Sequence, residues 1–80
     1  MDDVNQIKAR IEKDIVMFYS NMKTLRQGET GKKVVELSEM YAKDSKSYLD
    51  KQDYYTSFSC ISYAHGLLDA VIAIRDADVH

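Results

Sequence analysis

The chain has 80 residues, 45% of them hydrophobic and 30% charged, with a formal charge of −2. These values describe one globular domain over residues 1–80, near the size where a single core just suffices, and they exclude a disordered chain. The charge offers no positive field and argues against a nucleic-acid partner, while the single cysteine, Cys60, excludes an internal disulfide and fits a reducing cytoplasm.

Proline is absent, so helix ends must come from glycines and caps. The first helix is expected over about residues 3–26. Val4, Ile7, Ile11, Ile15, Phe18, Met22 and Leu25 recur at three- and four-residue intervals and form one stripe. Asp2 and Asp3 suit its positive end, Lys23 and Arg26 its negative end, and Gly28 a C-terminal stop.

The second helix is expected over about 31–49, with Thr30 as its N-cap. At about 100° per residue, Val34, Leu37, Met40, Tyr41, Ala42, Ser45, Tyr48 and Leu49 share an arc, with Glu36, Glu39, Lys43, Lys46 and Asp50 opposite. Asp44 breaks the pattern by projecting inside the apolar arc.

The third helix is expected over about 53–76, capped by Asp53 after a turn of roughly three residues, short enough to make antiparallel neighbours. Ten of the 11 Lys and Arg lie at or before Lys51, and Asp53 to Ile74 contains no cation and two anions. So little charge predicts a helix covered by the other two. Ile61, Leu68 and Ile72 mark one apolar side; Cys60, Tyr63, Leu67, Ala70 and Ile74 mark another. Ser59, Ser62, Gly66, Asp69 and Ala73 form a remaining strip of small or short side chains. The fold expected is an all-α, antiparallel up-and-down three-helix bundle.

The start, MDDVNQIKAR, is acidic and has no apolar core, so no secretory signal is expected. Phe58 to Ile74 contains His65 and Asp69 and falls short of the ~20 apolar residues of a bilayer span, so no membrane partner is expected.

The run YAKDSKSYLDKQDYYTSFSCISYAHGLLDA, residues 41–70, resembles the signature of a family of short archaeal proteins, the domain of unknown function numbered 357. The matching positions are Asp44, Tyr48, Asp53, Tyr54, Tyr63, Ala64, His65, Gly66, Leu68, Asp69 and Ala70. The chain departs at Gln52, where the family usually has glycine, and at Ser57, where alanine is usual. The resemblance implies a compact three-helix bundle and no known activity.

Two features admit a functional reading beside a structural one. Asp44, Tyr63, His65 and Asp69 form a candidate polar cluster. His65 and Asp69 share a helix face, and with Asp44 from the neighbouring helix they are the residue types that hold a divalent metal or set an acid–base pair. The structural reading is a buried carboxylate satisfied by the hydroxyls of Tyr41, Tyr48 and Tyr63. Ser59, Ser62, Gly66 and Ala73 form a candidate interaction strip, which either packs inside the monomer or receives a second copy or a partner helix.

Catalytic templates are missing. GETGKK lacks the Ser or Thr of a phosphate-binding loop, no Cys and His pairs have zinc-ribbon spacing, and Arg75 with His80 matches the ribonuclease motif of HEPN helical domains only in its loose spacing. No catalytic residue, metal site or cofactor is assigned. The expectation is a cytoplasmic, non-enzymatic protein–protein interaction module, acting as a homodimer or on a protein partner through the third helix. The alternative is a small-molecule, metal or RNA-associated site centred on Asp44, His65 and Asp69.

Overall fold

A computed structural model describes residues 3–25 and 31–78, with side chains to residue 76. It contains α1 (Val4–Thr24), α2 (Lys32–Asp50) and α3 (Tyr54–Asp78), packed on one another as an all-α three-helix bundle 47 × 20 × 16 Å in extent. Residue pairs give the directions. Gly31 meets Val71 and Ser45 meets Ser57, so α2 and α3 are antiparallel. Arg10 meets Phe58 and Asp14 meets His65, so α1 and α3 run the same way.

The ends follow from local chemistry. The Asp3 carboxylate accepts the Asn5 amide at 3.0 Å and caps α1. The α2–α3 turn is a Schellman closure: the Gln52 amide donates to the Leu49 carbonyl at 3.0 Å and the Asp53 amide to that of Tyr48 at 2.9 Å. Asp53 then caps α3, its carboxylate accepting the Thr56 amide at 3.2 Å. The stops expected at Gly28 and the cap expected at Thr30 lie outside the described residues; Gly31 is the N-cap of α2 and makes no side-chain cap bond. Gly31 also lets α3 come close, since a Cβ there would stand 2.7 Å from Val71 Cγ1.

Gln52 has φ 65°, in the left-handed region that costs an L-residue roughly 1–2 kcal/mol. Glycine escapes that strain but loses more backbone freedom on folding. Gln52→Gly is therefore expected to raise the unfolding free energy by about 0.5–1 kcal/mol, read as a higher urea midpoint at unchanged slope.

The core lies along a seam of alternating small and large residues. α3 contributes Ser57, Ile61, Ala64 and Leu68; α2 contributes Val35, Ser38, Ala42, Ser45 and Leu49; α1 contributes Ile11 and Phe18, and its C-cap Leu25 joins them. The α1 stripe thus points inward as expected, although Val4 at its start is half exposed.

The other two faces differ from expectation. On α2, Leu37 and Met40 are exposed, while Val35 and Ser38, outside the expected arc, are buried. Serines replace bulk at this seam because their hydroxyls are satisfied there. Ser38 donates to the Val35 carbonyl at 2.7 Å, and Ser45 and Ser57 each donate to the other's carbonyl at 2.7 Å. Among the described residues, no buried side-chain polar atom lacks a partner.

On α3, cover is partial, contrary to the expectation of a helix wrapped by its neighbours. Its second apolar side is open, with Tyr63 52% and Ile74 58% exposed. The cause is arithmetical: two amphipathic helices cover about half of a third helix's circumference, and α3 is apolar over more than that. The span reading also needs correction. Tyr54–Asp76, 23 residues, is long and apolar enough by length and composition to cross a membrane, and only 22% of its most apolar window is buried. Within the bundle, Ser57, Ile61, Ala64 and Leu68 of α3 are buried against its neighbours, while most of that window stays exposed.

Candidate functional site

His65 is held by α1. Its Nε2 donates to the Asp14 carbonyl at 2.8 Å, which sets the tautomer if the ring is neutral. The ring stands edge-on to Phe18, with centroids 5.7 Å apart and planes at 88°. That bond and that contact tie α3 to α1, so the imidazole serves as a strut between helices.

The other expected members lie elsewhere. Asp44 is exposed, not projecting inward, because α2 is rotated so that Val35 and Ser38 join Ala42 and Ser45 in the core. Its charge is felt on the opposite flank of α3, where burial first, then Asp44 and Asp53, push the Cys60 thiol upward. A thiol held protonated is a poor nucleophile, and half-buried Cys60 is a small packing residue. Asp69 is exposed. Tyr63 packs its ring edge-to-face on Tyr41 at 4.6 Å, beside Cys60 and away from His65. Asp44 and His65 thus face opposite flanks of α3, and among the described residues no three of His, Cys, Asp and Glu are placed to hold a metal ion. Arg75 bonds to its neighbour Asp76 at 3.2 and 3.3 Å; His80 lies outside the described residues.

The strip is where the structure leaves space. Ser59, Ser62, Gly66 and Ala73 are all exposed, and a Cβ built on Gly66 would meet nothing within 4 Å. Packing inside the monomer therefore does not account for glycine at this position. Exposed Tyr55, Tyr63 and Ile74 border the strip, so the uncovered side of α3 is apolar as well as low in bulk.

Sequence reasoning missed one feature. Ile7 and Arg10 of α1, with Tyr54, Tyr55 and Phe58 of α3, line a groove of about 370 Å³. The Arg10 guanidinium carbon lies 5.8 Å from the centre of the Phe58 ring. A signal existed: Ile7 and Arg10 are three apart on one helix face, as Tyr55 and Phe58 are on another. Only the parallel alignment of α1 and α3 joins the two pairs.

A search of curated proteins finds no match. The family described as protein of unknown function, DUF357, matches residues 10–75, which spans α2, most of α1 and nearly all of α3. With the three-helix bundle and the Tyr63–Gly66 and Leu68–Ala70 segments in place, the chain belongs to the DUF357 family.

Proposed function

We propose that this protein is a cytoplasmic, non-enzymatic protein–protein interaction module whose partner surface is the uncovered side of α3. One observation carries the reading: the least charged helix of the chain keeps Tyr55, Tyr63 and Ile74 in solvent around the open strip Ser59, Ser62, Gly66 and Ala73. Contiguous exposed apolar patches mark protein–protein or membrane interaction sites. A second copy or a partner helix fits such a surface. With a single cysteine, Cys60, the chain forms no internal disulfide, which suits a reducing compartment. No observation favours a ligand site at Asp44, His65 and Asp69.

Gly66 supplies the test because its two substitutions separate folding from association. Gly66→Ala fills open space in a helix interior and is expected to stabilise the monomer by about 0.5–1 kcal/mol in thermal or urea unfolding. Gly66→Arg is expected to leave the fold intact and remove association. Light scattering at high micromolar concentration reads a second copy, and co-purification with wild-type and Gly66→Arg baits reads another partner. Identical masses and identical co-purifying proteins for both baits would end this reading. Capture of lipid vesicles by the wild type but not by Gly66→Arg would replace it with a membrane surface.

A further inference from the structure

The groove between the first turns of α1 and α3 has a chemistry distinct from the strip. Its walls are Ile7, Tyr54, Tyr55 and Phe58, and its one charge is Arg10. Among the described residues, no carboxylate lies within ion-pair distance of that guanidinium. Instead, it lies 5.8 Å from the Phe58 ring centre. A cation over an aromatic ring is attracted by the ring's quadrupole without using its N–H donors, which leaves them able to grip a carboxylate with two parallel bonds.

We infer that this groove docks a segment of a partner protein in which a carboxylate side chain stands next to an apolar one. The apolar side chain lies against Ile7, Tyr54 and Phe58, and the carboxylate pairs with Arg10. Charge complementarity selects the acid, because among the described residues the groove's one charge is a cation with no ion-pair partner. The shape selects a protein segment over a small molecule. The groove is open to solvent, whereas small-ligand pockets enclose most of their ligand. A chain continuing past both ends loses nothing by that openness. A nucleic acid fits poorly, because a single cation on a chain of net charge −2 cannot offset a run of phosphates. The inference rests on the reading of this protein as an interaction module and adds the chemistry of what it binds.

The experiment is an amide-resolved NMR titration of the full chain with an acetylated, amidated hexapeptide centred on Phe-Glu-Leu-Asp. Shifts are expected to concentrate at Ile7, Arg10, Tyr54, Tyr55 and Phe58. The dissociation constant is expected to rise at least about tenfold when the peptide's acids become Gln and Asn. It should rise similarly with the acidic peptide on Arg10→Gln, an exposed substitution whose melting temperature should match the wild type. Equal binding of the neutral peptide, indifference to Arg10→Gln, shifts centred elsewhere, or tighter binding of oligothymidine would each overturn the inference. If the peptide ignores the groove while Gly66→Arg still removes association, only this inference falls. If Gly66→Arg changes nothing, the interaction reading itself falls.

Discussion

Phe18→Ala is expected to cost about 3–5 kcal/mol of unfolding free energy, enough to leave much of the chain unfolded at room temperature. Phe18 is fully buried and is the largest fully buried side chain. Within α1 only Ile11 and Phe18 are buried, so one substitution removes much of what binds α1 to the hairpin. The ring also meets Tyr19 edge-on at 5.3 Å and His65 at 5.7 Å, contacts that alanine cannot make. Urea unfolding followed by circular dichroism measures the loss. Val16→Ala, at a position 69% exposed on the same helix, is the control and should move the midpoint little. A Phe18→Ala protein as stable as that control would show that α1 is held by something other than its buried face.

Ser57→Leu is the second large effect, at about 2–4 kcal/mol. Ser45 and Ser57 are both fully buried, and their oxygens stand 3.1 Å apart between α2 and α3. Each hydroxyl has one proton and gives it to the other residue's carbonyl at 2.7 Å. Leucine adds bulk where no space exists, costing about 1–3 kcal/mol, and removes a hydrogen bond of about 0.5–1.5 kcal/mol. Ser57→Ala loses only the bond and leaves the close approach intact, so its cost should stay near 1 kcal/mol. The same urea measurement distinguishes the two. Equal costs would mean that the hydrogen bond, not the tight spacing, joins the hairpin.

How much could be read in advance differed from helix to helix. The α1 stripe was readable because its inward positions are large and apolar, and nothing on that face competes with them. The Asp53 cap and the short turn were readable because they are local chemistry. The α2 face was not, and the error was a rotation of roughly a fifth of a turn. Hydrophobicity ranks Leu37 and Met40 above Ser38, yet Ser38 joins the expected Ala42, Ser45 and Leu49 at the seam. A serine hydroxyl that returns to a carbonyl loses its polarity cost, and its small size lets a neighbouring backbone approach. That rotation moved Asp44 from the core to the surface and, with it, separated the candidate polar cluster.

For α3 the composition was read correctly and its consequence was not. Low charge argues for full cover, but cover is limited by the two helices that pack against α3. The groove at Arg10 shows the same limit from the other side. Its residues belong to local patterns too short to stand out, and their meaning comes from two helix starts lying side by side.

From composition and periodicity alone, this chain had to form three helices, with an inward stripe on the first and a tight turn before the last. Those features depend on contacts a few residues apart, which a one-dimensional pattern records. Which face of α2 is buried, how much of α3 stays in solvent, and which partners surround Arg10 and His65 were settled by packing. Such choices depend on side-chain volume and bonding across helices, and separation along the chain carries no record of either.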